Sequence, residues 1–196
     1  NDILNGNNAI DILNGGIGDD TLNGDNGDDN LDGGSGDDRF LIDGEGNVMV
    51  NGGEDKDTLV VDSTGYTHSF GSFYVRIDLE NGISGNVGDS QFLSETGNTL
   101  ISIENVEYTG PFSATIVGND EDNIITNLIV TDDANVWSEV RGNGGNDIII
   151  SGATSDDLYG GANDDTITAG GGDDQVYGEA GNDKLILNGV GTQLFD

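Results

Sequence analysis

A nine-residue pattern recurs along this chain and constrains its fold more than any other feature. The unit reads GGxGxDxUx, where U is a large apolar residue, and "GGIGDDTLN" at 15–23 is a close match. Four consecutive units fill 6–41, a ten-residue variant occupies 42–51, and another unit follows at 52–60. Five more consecutive units fill 142–186, after a degenerate unit at 118–126. Such a regular recurrence indicates one structural unit per repeat, stacked on its neighbours.

Within the unit, the sixth position is acidic and the eighth position is apolar. The eighth position holds Leu22 and Phe40 in the first block and residues from Ile149 to Leu185 in the second. Glycine at the first, second and fourth positions permits positive φ, so we expect each unit to turn its carbonyl groups toward one point. The sixth-position residues are Asp2, Asp11, Asp20, Asp29, Asp38, Asp57, Asp147, Asp156, Asp165, Asp174 and Asp183.

The charge of the chain limits its partners. With 5 Lys and Arg residues against 38 Asp and Glu residues, the formal net charge is -33. Nucleic acid and anionic membrane surfaces are therefore excluded as partners, because both need a basic face. No apolar run is long enough to span a bilayer, and without cysteine no disulfide holds the fold. A cation is the expected partner.

The units resemble the nonapeptide calcium repeats of RTX, or haemolysin-type, proteins over roughly half of the chain. The resemblance implies an all-β, right-handed parallel β-roll, in which the first six positions turn and the last three form a short strand. Two units complete one coil, so turns 18 residues apart stack on the same side. The chain begins inside a repeat without an initiator Met, so we expect a segment of a larger secreted bacterial protein.

The resemblance also implies how calcium is held. One turn contributes the carbonyls of its second and fourth positions and its sixth-position aspartate, and the stacked turn contributes its first and third carbonyls and its own aspartate. The expected pairs are Asp2 with Asp20, Asp11 with Asp29, Asp20 with Asp38, Asp147 with Asp165, Asp156 with Asp174, and Asp165 with Asp183, while Asp38 pairs with Asp57 if the ten-residue unit absorbs the shift. The expected carbonyl ligands are those of Asn7, Ala9, Gly16, Gly18, Gly24, Asn26, Gly33, Ser35, Asn143, Gly145, Gly152, Thr154, Gly160, Gly161, Ala162, Asn163, Ala169, Gly171, Gly178 and Ala180. With oxygen ligands of this kind, we expect about six or more Ca²⁺ ions.

Metal binding should be part of folding. A core of eighth-position residues is one side chain deep and cannot outweigh an ordering cost of ~1–2 kcal/mol per residue. Solvated Asn/Asp/Gly turns are the alternative, but stacked aspartates without a cation place like charges together. Sites with Ala9, Asp55, Thr154 or Asn163 at the fourth position are expected to be weaker, as is one at Asn123. The fifth-position aspartates are expected to face solvent and not to be ligands; they are Asp19, Asp28, Asp37, Asp164 and Asp173.

The breaks in the period divide the chain into three predicted segments. Residues 1–60 form the first β-roll block, 61–117 a β-rich insert or connector, and 118–196 the second block with an interruption at 127–141. Within the insert, "FYVRIDL" at 73–79 alternates apolar and polar residues, which predicts a half-buried strand.

The interruptions carry the candidate residues for a further partner. Tyr66, His68, Tyr74 and Arg76 could converge on a sugar or form a polysaccharide-cleaving site, but an aromatic loop packed on the roll is the favoured interpretation. One histidine and no cysteine leave few options for nucleophilic catalysis. Trp137 either anchors a partner or fills the core at a joint of the roll.

Two function classes follow. The favoured one is a non-enzymatic module that folds on binding extracellular Ca²⁺ after type I secretion and serves as scaffold, stalk or adhesion module at the cell surface or outside it. Its partners would be calcium, the secretion machinery acting on the parent chain and, potentially, an extracellular glycan or cell-surface ligand. The alternative is a polysaccharide-active β-helical enzyme or the carbohydrate-binding part of one.

Overall fold

The computed structural model describes residues 1–43, 46–64, 74–86, 98–131, 133, 135–188 and 194–195. All regular structure in these ranges is β-strand. No helix of the described chain has the length and apolarity needed to cross a membrane. Tyr66 and His68 lie outside the described residues.

The strands, numbered β1 to β20 in chain order, form two sheets. The nine-stranded sheet contains β1 (Ile3–Asn5), β3 (Thr21–Asn23), β5 (Arg39–Ile42), β7 (Thr58–Asp62), β11 (Asn105–Gly110), β13 (Ile124–Ile129), β15 (Ile148–Ser151), β17 (Thr166–Ala169) and β19 (Lys184–Leu187), in that order. The eleven-stranded sheet contains β2 (Ile12–Ile17), β4 (Asp29–Ser35), β6 (Val48–Glu54), β10 (Asn98–Ile101), β9 (Ile83–Asn86), β8 (Tyr74–Asp78), β12 (Ser113–Val117), β14 (Trp137–Asn143), β16 (Ser155–Ala162), β18 (Gln175–Ala180) and β20 (Leu194–Phe195). Successive repeat units alternate between the sheets, as expected for a β-roll with two units per coil.

The register confirms that equivalent positions stack. Leu22 pairs with Phe40, 18 residues on, and the same parallel step joins Ile149 to Ile167. The eighth-position ladder of the nine-stranded sheet runs through Leu4, Leu22, Phe40, Leu59, Val106, Ile125, Ile149, Ile167 and Leu185. All but the two end members are fully buried. The prediction of an all-β roll with stacked parallel strands is therefore confirmed.

One core fills the space between the sheets. Leu22 and Phe40 from one sheet and Leu31 and Val50 from the other belong to a single cluster of buried apolar residues. In the repeat coils each strand contributes only one or two such side chains, for example Leu22 from β3 and Phe40 with Ile42 from β5. The core is therefore thin and extends along the roll rather than through it.

The ten-residue unit is absorbed inside a turn. Asn23 pairs with Leu41 at a spacing of 18 residues, whereas Leu31 pairs with Val50 at a spacing of 19. The extra residue therefore falls between Leu41 and Val48, where β5 ends and β6 begins. The ladder beyond it keeps its inward side, so Phe40 still stacks on Leu59.

The middle of the chain extends the eleven-stranded sheet. β10 pairs parallel with β6, β9 pairs antiparallel with both β10 and β8, and β8 pairs parallel with β12. Three strands thus stand where a repeat coil would place one. Val75 and Ile77 are fully buried and Arg76 is exposed, which confirms the alternation read from the sequence. The division into three segments remains a prediction, since strands from all three pair within the same two sheets.

The thin core makes single apolar residues important for stability. We expect Leu22→Ala to lower the free energy of unfolding of the calcium-saturated chain by about 2–5 kcal/mol, because Leu22 is fully buried. Ile17→Ala is the control: Ile17 is 89% exposed, so its change should stay within about 0.5 kcal/mol. Denaturant unfolding measures both variants, and equal losses would contradict an inward eighth position.

Candidate metal centre: stacked aspartate turns

The sixth-position aspartates lie along two edges of the roll. We call the turns that lead into the nine-stranded sheet the first edge and those that lead into the eleven-stranded sheet the second edge. The first edge carries Asp2, Asp20, Asp38, Asp57, Asp147, Asp165 and Asp183, and the second edge carries Asp11, Asp29, Asp156 and Asp174. Each aspartate stands at or just before the first residue of a strand, except Asp156, which is the second residue of β16, so the sheet register fixes its position.

Within each block, a backbone hydrogen bond joins each aspartate to the next one on its edge. The Asp20 N–H donates to Asp38 Oδ1 at 2.7 Å, and the Asp147 N–H donates to Asp165 Oδ1 at 2.8 Å. The same bond joins Asp2 to Asp20, Asp11 to Asp29, Asp38 to Asp57, Asp156 to Asp174 and Asp165 to Asp183. The structure thus brings together every aspartate pair expected from the spacing.

The second carboxylate oxygen has no partner at most of these positions. Among the described residues, Oδ2 is buried and makes no hydrogen bond in Asp11, Asp20, Asp29, Asp38, Asp57, Asp147 and Asp165. A buried charged oxygen without a donor is costly, so each one marks a place that suits a cation.

First-position glycines show what lies opposite these oxygens. A Cβ built on Gly15 would come within 2.5 Å of Asp20 Oδ2 and 2.8 Å of the Gly33 carbonyl oxygen, which belongs to the stacked turn. Gly33 and Gly142 stand in the same relation to their own aspartates and to the next first-position carbonyl. A carboxylate oxygen and a carbonyl oxygen therefore converge beside each of these glycines. Hard oxygen ligands of this mixed kind are those that Ca²⁺ prefers, so the residues present fit the ion.

These places are built from backbone as much as from side chains. The described residues contain no group of three or more His, Cys, Asp or Glu side chains that could hold a metal. Each aspartate pair would therefore need carbonyl ligands to complete a shell of ~6–8 oxygens. The ligand role of the carbonyls named from the sequence remains a prediction. Several of them already accept one bond from the neighbouring coil, such as Ser35 from the Gly18 N–H at 2.7 Å, and a carbonyl keeps a second lone pair.

The irregular fourth positions differ among themselves. Asp55 and Asn163 take positive φ, as a fourth-position glycine such as Gly18 does, so these two turns keep the geometry of the repeat. Asn tolerates this conformation better than most residues. Ala9 and Thr154 are not among the residues with positive φ, so their turns depart from it.

Asp156 has a different environment from the other buried aspartates. Its Oδ1 accepts hydrogen bonds from Ser138 Oγ at 2.6 Å and Thr154 Oγ1 at 3.0 Å, and its Oδ2 accepts one from Ser151 Oγ. Ser151 occupies the first position of this unit, where the open sites have glycine. The serine hydroxyl thus satisfies the oxygen that elsewhere has no donor. This arrangement does not favour the predicted pairing of Asp156 with Asp174 around an ion, and the first-position serine is the sequence signal for it.

The fifth-position side chains have a role that the sequence did not indicate. Asp19 Oδ1 accepts the Asp37 N–H at 3.2 Å, and Asp37 Oδ1 accepts the Lys56 N–H at 3.0 Å. In the second block, Asp164 Oδ1 accepts the Asn182 N–H at 2.9 Å. These exposed carboxylates cap backbone donors of the next coil and help to hold turn on turn.

Candidate residues for a further partner are only partly described. Arg76 forms an ion pair with Asp78 at 2.6 Å. The Trp137 side chain is 43% exposed, and the Trp137 backbone N–H donates to Ser113 Oγ at 3.2 Å. Trp137 therefore does not fill the core. β8, β12 and β14 are neighbours in one sheet, and Arg76 and Trp137 both project outward from it. Nothing in these residues tests their role, and it remains a prediction.

Burial raises the pKa of several of these carboxyl groups. The pKa rises to about 7 for both Asp57 and Asp147, chiefly because burial removes water from the charged form, although a backbone N–H bond opposes the rise. Burial also raises the pKa of Asp29, Asp38 and Asp165, and the neighbouring carboxylates add to it. The metal-free fold thus disfavours the ionised state that a cation needs.

The raised pKa values predict a pH-dependent metal-free state. A carboxyl group whose folded pKa exceeds its unfolded value stabilises the fold at low pH, and this stability is lost as the pH rises from about 4 to about 7. In the presence of a chelator, we therefore expect more β-signal in circular dichroism at pH 5 than at pH 7.5. The variant Asp57→Asn/Asp147→Asn controls for the general relief of charge repulsion and should show a smaller difference. Identical pH curves for the two proteins would contradict the assignment.

Comparison with known families agrees with this geometry. The RTX calcium-binding nonapeptide repeat matches four copies in the chain, over residues 5–40, 40–63 and 150–185. Among curated proteins, no sequence matches the chain. RTX nonapeptide repeats bind calcium, and the repeat family is typically non-catalytic. The matched residues contain the stacked glycine–aspartate turns of both blocks, so the chain carries RTX calcium-binding nonapeptide repeats in a β-roll fold.

Proposed function

We propose that this chain is a module that folds outside the cell when calcium binds between its stacked turns. The single observation that carries the proposal is the set of seven buried Oδ2 atoms without a hydrogen-bond partner. Each such atom opposes the fold when it is charged and has no counter-ion. A net charge of -33 adds general repulsion along the chain.

The residues of the chain contribute position rather than reactivity. A first-position glycine leaves space beside Asp20 and another leaves space beside Asp38. Because the backbone N–H of Asp20 binds Oδ1 of Asp38, Oδ2 of Asp38 remains available to face the space between the stacked turns. Calcium, when bound, supplies the positive charge between these oxygens. Because the oxygens meet only when the coils stack, binding free energy becomes folding free energy.

A calcium threshold suits a secreted module. Extracellular calcium modules bind at about 10⁻⁴–10⁻³ M, well above cytoplasmic calcium concentrations. We propose that the chain stays unfolded before type I secretion, crosses in that state, and folds once it is outside. Within its parent protein it would act as scaffold, stalk or adhesion module.

The outward face with Arg76 and Trp137 is the surface we propose for a glycan or other cell-surface ligand. Trp137→Ala should then weaken adhesion.

The number of bound Ca²⁺ ions follows from which aspartate pairs have a carboxylate oxygen without a hydrogen-bond partner. The pairs Asp11–Asp29, Asp20–Asp38, Asp38–Asp57, Asp147–Asp165 and Asp165–Asp183 each begin with an aspartate whose buried Oδ2 has no partner. Asp2–Asp20 has the same backbone bond at the exposed end of the roll. We propose that these six pairs bind calcium and that Asp156–Asp174 does not, because hydroxyl groups already satisfy Asp156.

Calcium-coupled folding is tested by removing the metal. In a chelator at pH 7.5, we expect the far-UV circular dichroism of a disordered chain, because the like charges and unpaired oxygens are uncompensated. Added Ca²⁺ should restore the β-signal with a midpoint of about 10⁻⁴–10⁻³ M. Mg²⁺ at the same concentration is the control, and it should restore little because it dehydrates reluctantly. A spectrum unaffected by the chelator would sink the proposal.

A matched pair of variants tests which aspartates are ligands. Asp165→Asn should lower the number of bound Ca²⁺ ions by at least one, because Asp165 belongs to two pairs. Asp156→Asn should leave the number unchanged, since its partners are the hydroxyls of Ser138, Ser151 and Thr154. Isothermal titration calorimetry and equilibrium dialysis measure both. Equal losses in the two variants would show that the hydroxyl groups do not replace an ion.

A further inference from the structure

The row of turns on the first edge does not stop at the last unit of the first block. The Asp57 N–H donates to Glu104 Oε2 at 2.9 Å, which is the bond that joins each sixth-position aspartate to the next. In return, the Asn105 N–H donates to the Asp57 carbonyl at 2.9 Å, as the Thr58 N–H does to Asp38. Glu104 therefore stands where the register places a sixth-position acid.

A carbonyl group completes the likeness. A Cβ on Gly52 would collide with both Asp57 Oδ2 and the Ser102 carbonyl oxygen, as a Cβ on Gly33 would with Asp38 Oδ2 and the Gly52 carbonyl. Ser102 therefore takes the place of a first-position residue. Its φ of 49° lies in the left-handed region, which is unusual for serine.

The turn is shorter than a repeat turn and lacks its motif. Leu59 pairs with Val106, so the two turns that precede these residues correspond to each other. Ser102, Ile103 and Glu104 form a turn of three residues, whereas residues 52–57 form a turn of six residues one coil earlier. No glycine-rich pattern marks these three residues, and the family match that covers Asp57 ends at residue 63. The resemblance of this turn to a repeat turn is visible only in how its residues stack on the neighbouring coil.

Among the described residues, no lysine or arginine side chain neutralises the oxygens that meet here. Asp57 is fully buried, and its Oδ2 has no hydrogen-bond partner among the described residues. Lys56 Nζ instead donates to the Asp122 carbonyl at 3.0 Å, and Arg39 forms a two-bond pair with Glu107. A carboxylate oxygen beside a carbonyl oxygen and a second carboxylate suits a divalent cation with a preference for oxygen.

We propose that Asp57, Glu104 and the Ser102 carbonyl form a calcium site outside the nonapeptide motif. The site rests on the proposed function, because it uses the same cation and the same stacking. It would join the first block to β11, so that calcium also orders the connector. The row is interrupted one coil later, where Asn123 Nδ2 donates to the Glu104 carbonyl at 2.8 Å and an amide hydrogen takes the place of a cation.

Glu104→Gln tests the site in the full 196-residue chain. Glutamine keeps an oxygen that can accept the Asp57 N–H but removes the charge, so we expect one fewer Ca²⁺ per chain by equilibrium dialysis. Glu121→Gln removes an exposed charge two residues before Asn123 and should leave the number unchanged. Asp57→Asn should cost one ion more than Glu104→Gln, because Asp57 also pairs with Asp38.

The outcomes separate this site from the general function. If the unaltered chain binds no Ca²⁺, the proposed function fails; if it binds Ca²⁺ and Glu104→Gln binds the same number, only this site is wrong. Calcium anomalous scattering from crystals of the unaltered chain decides the matter without a substitution. A peak at about 2.3–2.6 Å from oxygens of Asp57 and Glu104 is expected, and none there would overturn the proposal.

Discussion

The fold depends on a repeated approach of oxygen atoms at the stacked turns. Beside first-position glycines such as Gly15, Gly33 and Gly142, a buried aspartate oxygen without a hydrogen-bond partner and a carbonyl oxygen of the next turn face the same place. Partial or full negative charges directed at one place repel, and the low polarity of the interior strengthens the repulsion. The strand register nevertheless forces them together, because the same coils must stack to bury Leu22 on Phe40. The apolar core and the acidic edges therefore make opposite demands on the chain, and a cation reconciles them.

This opposition explains why the roll can be both well specified and conditional. The register is fixed by the inward eighth position, since a shift of one residue would turn that ladder outward. Stability is a separate matter, because a core one side chain deep contributes little per ordered residue. Burial also raises the pKa of Asp57 and Asp147 to about 7, because a buried carboxylate loses its hydration and is less stable in the charged form. On the proposed function, the sequence thus determines which structure can form, and the ionic conditions would determine whether it forms.

Much of this arrangement could be read from the sequence, because a strict period carries its own register. The stacking of Asp20 on Asp38 and the inward position of Leu22 follow once turns 18 residues apart are placed together. The hydroxyl groups around Asp156 do not follow from the repeat pattern, although Ser151 marks them, because turn geometry alone does not predict the space that a first-position glycine leaves beside the aspartate. Glu104 could not be found in this way, because its turn has half the length of a repeat turn and no glycine. The antiparallel strand β9 also falls outside the period, because it forms a hairpin with β8 across the Asn81-Gly82 turn, a local signal that is independent of the repeat.

The first-position residue also determines how far the effect of a cation at one aspartate pair would extend to the next pairs along the roll. In the first block, an aspartate such as Asp20 belongs to two successive pairs on the first edge, so the occupancy of one place alters the charge at the next. Nearest-neighbour linkage of this kind gives a linear array a cooperative transition. On the second edge of the second block, Ser151 and Ala169 replace the glycine and remove that linkage. On the proposed function, the first edge would respond within each block as a coupled array, whereas the second edge of the second block would respond at separate positions.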